Sequence, residues 1–333
     1  MTAGPQAMST ATDPTLVRGL LLRRVSLEAD GVISLQLVDP SGADLPAWEA
    51  GAHLELLLPS GLVRQYSLCG DPSDRSSYTV AVLEEPEGRG GSREVHASAL
   101  VGTTVRVRGP RNHFPLVPAV RYLFVAGGIG ITPLLAMART AEAAGVPWSM
   151  VYGGRSRRSM AFVPELAALG EDRLELVPQD ELGLPDLEAV LDAAGPGTQV
   201  YCCGPEGLIA AVEQRCRVRG IDEVLHVERF GAAPATGDGE GEQEATTFEV
   251  ELRRSGLTLT VPADRTLIDV VRERVPEVMT SCEEGFCGTC ETRVLEGVPE
   301  HHDTILSAAE RAKGTTMMIC VGRSASARLV LDL

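Results

Sequence analysis

The chain has 333 residues, 44% of them hydrophobic and 23% charged, with 35 glycines and 8 cysteines. That length is more than one core supports, so two or three domains are expected. Its net charge of -16 argues against nucleic acid, whose phosphates repel such a surface, and no uninterrupted apolar run of about eighteen residues suggests a membrane span.

Residues 1–15 are small, polar and proline-containing, with no basic stretch leading into an apolar one. They are expected to form a disordered tail and not a signal peptide, which leaves the cytoplasm as the default location. The eight cysteines are not spread as a disulfide framework. Four fall in the last sixty residues, a clustering that suggests metal or redox work.

From residue 16 the chain reads as β-structure. "GVISLQLVD", "AHLELLLP", "RQYSLCG", "SYTVAVLEE" and "TTVRVRGP" are short apolar or alternating runs divided by turn residues, which predicts a barrel or sandwich. In "RQYSL", alternation puts Arg64, Tyr66 and Leu68 on one face and Gln65 and Ser67 on the other. A ring beside a cation and a hydroxyl suits a planar phosphorylated cofactor, but taken alone the stretch reads better as an edge strand with a tyrosine. "EGRGGS", Glu87 to Ser92, is either a phosphate cradle or a plain loop.

Near Pro115 to Val120 the rhythm changes. "RYLFVAGGIGITPLLAMARTAEAAG", "PWSMVYGGRS" with "AFVPELAALG", and "QVYCCGPEGLIAAVEQRCRVRG" alternate strand, turn and helix, so a parallel sheet covered by helices is expected. In "AGGIGITP", Gly127, Gly128 and Gly130 are expected to let backbone amides approach a pyrophosphate, with Thr132 capping the helix and Pro133 in its first turn. The third glycine of the dinucleotide fingerprint is absent, and no acidic residue ends the next strand; "VYGGRSRRS" stands there, and its run from Arg155 and Ser156 to Arg158 is either a solvated face or a grip for a ribose or its phosphate. "CCGP" repeats the strand-turn-helix design and brings a thiol to the same edge, although on its own it reads first as a buried structural cysteine.

"GAAPATGDGEGEQEA", residues 231–245, has nothing to bury and reads as a flexible linker. Beyond it, a hairpin, a helix and further strands predict a small mixed sheet embracing one helix. Cys282, Cys287 and Cys290, with Cys320 further on, have the C-x4-C-x2-C…C spacing of plant-type [2Fe–2S] ligands. Gly285 and Gly288 allow a tight loop with amides close to sulfur. Zinc and free thiols remain alternatives, but zinc sites usually pair two CxxC knuckles and only one is present.

Taken together and in this order, these motifs resemble the phthalate dioxygenase reductase family, which includes vanillate O-demethylase reductases and the reductase modules fused to some bacterial cytochromes P450. The resemblance implies a multidomain protein: an antiparallel FMN-binding β-barrel over 16–117, an NAD(P)-binding α/β domain with a parallel sheet over 118–230, and an α+β β-grasp ferredoxin domain over 246–333. It implies that Arg64, Gln65, Tyr66, Ser67, Val82, Leu83 and the loop Gly88, Arg89, Gly90, Gly91 and Ser92 hold FMN. Gly127, Gly128, Gly130, Thr132, Pro133, Arg155, Ser156, Cys203, Gly204 and Pro205 would hold NADH or NADPH, and Phe230 would cover the flavin. Cys203, Ser67 and Glu228 become the catalytic set. The function implied is transfer of a hydride's electrons through FMN to the [2Fe–2S] cluster and on to a terminal oxygenase, of Rieske type or a P450. A hydride carries two electrons and such acceptors take one at a time; flavin converts between them. A monomer is expected, with Glu283 and Glu284 as the docking point for the acceptor. A redox-sensing or electron-carrying binding protein without turnover, and a zinc-bound interaction module, are the alternatives of other classes.

Overall fold

The computed structural model describes residues 14–231, 246–280 and 282–333. The expected tail over 1–15 and linker over 231–245 lie, apart from residues 14, 15 and 231, outside the described residues.

The first sheet is antiparallel, in the order β4-β3-β6-β1-β2-β5. Its strands are β1 (Arg18–Ala29), β2 (Val32–Val38), β3 (Ala52–Leu57), β4 (Val63–Ser67), β5 (Tyr78–Leu83) and β6 (Thr104–Asn112). Its edges meet: Leu68 bridges to Val80, and the Cys69 amide donates to the Thr79 carbonyl at 2.9 Å. Closure removes the free edges and makes a barrel, filled by Leu20, Leu35, Leu37, Leu54, Leu56 and Val80. The longest strand, β1, went unread in the sequence because its alternation breaks at a register shift between Leu22 and Arg24. Helix α1 (Gly91–Ser98) follows β5.

The second sheet is parallel throughout, in the order β11-β10-β7-β8-β9. It comprises β7 (Arg121–Gly127), β8 (Trp148–Gly154), β9 (Leu174–Pro178), β10 (Thr198–Cys203) and β11 (Leu225–Glu228), with helices α2 (Ile131–Ala143), α3 (Val163–Gly170), α4 (Gln179–Leu182), α5 (Leu187–Asp192) and α6 (Glu206–Arg219). After its first residue, β7 is buried at every position, as a strand covered on both faces must be. One face, with Phe124, Tyr152, Tyr201 and Cys203, continues into the core of the barrel. The other, with Val125, Val151 and Cys202, packs under α5 and α6. Strand order reverses between β7 and β10, the position at which open α/β sheets bind ligands.

The third sheet has its own core. Its strands are β12 (Phe248–Leu252), β13 (Leu257–Val261), β14 (Glu291–Glu296), β16 (Thr316–Met318) and β18 (Arg328–Leu331), in the order β13-β12-β18-β14-β16, while β15 (Pro299–Glu300) pairs with β17 (Arg323–Ser324). Only β12 and β18 run parallel, so the sheet is mixed. Helix α7 (Leu267–Arg272) is capped by the Thr266 hydroxyl and buries Leu267, Ile268, Val270 and Val271; α8 is Ala308–Lys313. The cysteine loop runs between α7 and β14. Among the described residues no helix is long and apolar enough to cross a membrane.

Candidate active site

A cavity of about 490 Å³ lies where the three sheets meet. The barrel lines it with Arg64, Gln65, Tyr66, Ser67 and Leu83 and with Gly88, Arg89, Gly91 and Ser92; the parallel-sheet unit adds Ile129, Thr132, Glu228, Arg229 and Phe230. The third unit contributes Cys282, Glu284, Phe286 and Cys287.

Strand β4 crosses this cavity with both faces in use. Its register sets Tyr66 opposite Leu54 and Arg64 opposite Leu56, while Gln65 is opposite Glu55 and Ser67 opposite His53. Burial pushes the Tyr66 hydroxyl up to about 12, so it is a neutral ring with a donor. The Arg64 side chain lies where a Cβ on Gly91 would stand, 2.5 Å from Nε, so a larger residue there would displace the guanidinium. The guanidinium thus crosses the N-terminus of α1, whose N-cap Gly90 is left-handed (φ 87°) and offers no side-chain cap. Uncapped amides beside a cation are an anion site. Val82 does not border the cavity: it is fully buried in the barrel, and its carbonyl bonds to His96 Nε2 at 3.0 Å.

Behind the ring position, the Ser67 hydroxyl donates to Glu228 Oε2 at 3.3 Å. Burial raises the Glu228 carboxyl from 4.5 to about 8, only partly offset by the Ser67 bond, so at neutral pH it holds a proton. His53 is held down at about 3 by burial, with His113 and Arg111 adding to the effect, and is neutral. The residue borders the cavity, and its buried Nε2 has no hydrogen-bond partner among the described residues.

At the edge of the parallel sheet, the residues expected to hold the nucleotide gather at the ends of β7, β8 and β10. Of these, only Thr132 reaches the cavity. Two expectations need correcting. Thr132 does not cap α2; it lies inside the first turn and its hydroxyl donates to the Ile129 carbonyl at 3.0 Å, because the helix starts at Ile131 after a 3-10 turn over Gly128–Gly130. Nor are all three glycines there for a phosphate. A Cβ on Gly130 would sit 2.2 Å from the Cys203 carbonyl, and one on Gly127 2.7 Å from Pro205, so these two let the β7 and β10 turns pack together. Only Gly128 (φ +52°) faces open space. Cys203 is fully buried on the barrel side of the sheet, and Cys202 on the far side. Burial first, then Glu228 nearby, keeps the Cys203 thiol protonated. Of the arginines, Arg157 pairs with Glu181 at 3.0 Å and Arg158 with Asp30 at 3.1 Å, whereas Arg155 is exposed.

The cysteine loop brings its three thiols together with that of Cys320, which follows β16. Cys282, Cys287, Cys290 and Cys320 are all buried, with Cys282 in hydrogen-bonding reach of Cys287 and Cys320, and Cys320 of Cys290. Backbone amides point at the sulfurs: Glu284 N lies 3.3 Å from Cys282 Sγ, and those of Gly285 and Thr289 serve Cys320 and Cys287. Four thiols ringed by amide donors fit two irons sharing the set. Gly285 and Gly288 are both left-handed (φ 75° and 74°); their Cβ positions lie 2.9 Å from Asp303 Cα and 3.1 Å from the His113 ring.

The acids Glu283 and Glu284 are partly exposed and each is ion-paired within the chain. Glu283 is tied to Arg272, and Glu284 pairs with Arg89 at 3.3 Å, while Arg89 also donates to the Cys282 carbonyl at 2.8 Å. Sequence reading missed His53, Glu55, His113 and Thr289, which join the barrel to this loop. The one available signal was His53 and Glu55 alternating with leucines in "AHLELL".

An anion-binding helix end, an aromatic strand and a thiol loop around one cavity, fed by a parallel sheet, define a flavin and iron–sulfur oxidoreductase. Residues 250–324 match the 2Fe-2S iron-sulfur cluster binding domain and residues 108–224 the N-terminal domain of dimethylamine monooxygenase subunit DmmA-like proteins. The chain is 45% identical to a phenoxybenzoate dioxygenase subunit beta of Ectopseudomonas oleovorans, over 94% of this chain and 97% of that one. It is 38% identical to the phthalate dioxygenase reductase of Burkholderia cepacia, over 98% and 100%. An intact type IV self-sufficient cytochrome P450 monooxygenase superposes with a TM-score of 0.87 at 42% identity; it covers all of this chain, which spans only 43% of that one. The chain belongs to the phthalate dioxygenase reductase family. It is an oxidoreductase of the kind that serves oxygenase systems, with FMN, a nicotinamide nucleotide and a [2Fe–2S] cluster as its cofactors.

Proposed function

We propose that the chain accepts a hydride from NADH at the edge of its parallel sheet, passes it to FMN in the shared cavity, and releases single electrons through the cysteine loop to a separate terminal oxygenase of Rieske type. One observation carries this: Cys282 and Cys287 border the same cavity as Arg64, Tyr66 and Ser67. FMN supplies the conversion from two electrons to one when bound. The chain's residues do the rest. Arg64 and the amides opening α1 hold the phosphate, Tyr66 lies along the ring, and Ser67 with protonated Glu228 keeps a proton beside it. Phe230, 41% exposed, covers the mouth, and Cys203 closes the crevice behind the nicotinamide. Barrel, nucleotide and ferredoxin units are assigned to 16–117, 118–230 and 246–333, working as a cytoplasmic monomer. The relatives spanned from end to end, named for dioxygenases, support the Rieske-type acceptor. The 0.87 superposition on a P450 fusion favours a P450 as the second reading.

Anaerobic purification, a visible spectrum and chromatography of the extracted flavin test the core of this reading. Added NADH should bleach the flavin and drive steady reduction of cytochrome c. A colourless protein would point to the zinc module, and a coloured one without turnover to a carrier. Reconstitution with a Rieske oxygenase and with a P450 then assigns the acceptor.

A further inference from the structure

Thr289 sits between two cluster ligands, Cys287 and Cys290, and is 7% exposed. Its hydroxyl donates to Glu55 Oε1 at 2.8 Å and accepts from Gln65 Nε2 at 2.8 Å, while the Cys287 thiol lies 3.5 Å away. Glu55 and Gln65 are direct partners in the register of β3 and β4, so they share one face of the barrel. Thr289 therefore joins the strand that crosses the cavity to a residue that holds the cluster.

Glu55 makes this contact selective. It is 1% exposed, and a carboxylate so buried is tolerable only with countercharges. Arg111 Nη1 lies 3.6 Å from Oε1, and Arg108 Nε 2.8 Å from Oε2 in an orientation that makes an ion pair and not a hydrogen bond. The Thr289 hydroxyl and the more distant Gln65 amide, at 3.5 Å, are the carboxylate's hydrogen-bond donors. Removing the hydroxyl leaves a buried acceptor short of a donor and separates β4 from the loop. A Cβ on neighbouring Gly288 would meet the His113 ring at 3.1 Å, so glycine there lets the loop lie close against the barrel.

We propose that Thr289 is a positioning residue for electron transfer within the chain, keyed between Glu55 and Gln65 so that the cluster loop keeps a fixed place against the flavin strand. The inference rests on the function proposed above. In the step it governs, one electron would leave the reduced flavin for the oxidised cluster, and the second would follow once the cluster has passed the first to the acceptor. Because electron transfer falls steeply with separation, a loosened loop slows this step and leaves hydride transfer alone.

The test compares Thr289→Val, which keeps the shape and loses the hydroxyl, with Thr289→Ser, which keeps the hydroxyl. After anaerobic mixing of the holoprotein with NADH, Thr289→Val should slow cluster reduction at least tenfold, with flavin bleaching within twofold of the original; Thr289→Ser should restore the cluster rate to within threefold. Hydrogen exchange over residues 282–290 should rise in the Val variant only, with the electron paramagnetic resonance signal of the chemically reduced cluster unchanged. If the Val variant fails to load a cluster, Glu55→Met, which removes the acceptor from the barrel side, carries the same comparison. The double variant should add nothing to Thr289→Val. Unchanged cluster reduction and exchange in the Val variant, or additive effects in the double variant, overturn the proposal. Failure of NADH to bleach the unsubstituted protein would instead sink the function on which it rests.

Discussion

Against the parallel sheet the barrel shares one apolar core, with Phe114 edge-on to Tyr201 at 5.4 Å and the Tyr201 hydroxyl bonded to Pro115 and Val117 of the connecting segment. Against the cysteine loop it presents Glu55, Arg108, Arg111, Gln65 and Arg89, while the third sheet keeps a separate core. Apolar burial is non-directional and adds up over area, so it welds the first pair into one body. Polar contacts are directional, sensitive to salt and individually modest, so they fix a register without preventing separation. The two junctions suit the two transfers. A hydride needs a crevice of constant shape, and a ferredoxin unit must also present its cluster to another protein.

Breaking the polar side at its centre has the largest expected effect. Cys287→Ser should reduce electron flow to cytochrome c at least 100-fold while flavin bleaching by NADH stays within about twofold; loss of both would mean that the two junctions are not independent. The next effect lies on the apolar side. Burial raises Glu228 from 4.5 to about 8, so folding takes up a proton between those values. The stabilisation is complete below about 4.5 and falls by about 1.4 kcal/mol per pH unit as the pH rises towards 8. Glu228→Gln keeps the Ser67 bond and removes this loss; its melting temperature should exceed the original's by at least about 5 °C at pH 8 and match it at pH 4.5. Equal melting at both would show that the carboxyl is not buried as described. The smallest effect belongs to the half-exposed Arg89–Glu284 pair, where a surface ion pair is worth at most about 1 kcal/mol. Glu284→Gln should slow cluster reduction about threefold at low salt and negligibly in 0.5 M sodium chloride, and a salt-independent defect would contradict an electrostatic contact.

How far the sequence discloses this depends on distance along the chain. The gathering of the four thiols was legible because three of them lie within nine residues. Barrel and parallel sheet were legible from periodicity, apart from β1, where a register shift hides the alternation. The glycines of "GGIGITP" were found for a reason only partly right: the neighbour that forces glycine at Gly130 is Cys203, more than seventy residues on. Thr132 was misread as a cap because a 3-10 turn moves the start of α2. The contact between Thr289 and Glu55 spans 234 residues and joins two cores, so no local pattern announces it.

Rapid anaerobic mixing with NADH, followed at flavin and cluster wavelengths over a range of protein concentrations, tests most directly whether one cavity couples the two centres. Flavin absorbance should fall first, and cluster reduction should follow at a rate independent of protein concentration. A cluster reduced in proportion to protein concentration would mean that its electrons arrive from another molecule, and the shared cavity would not be the route.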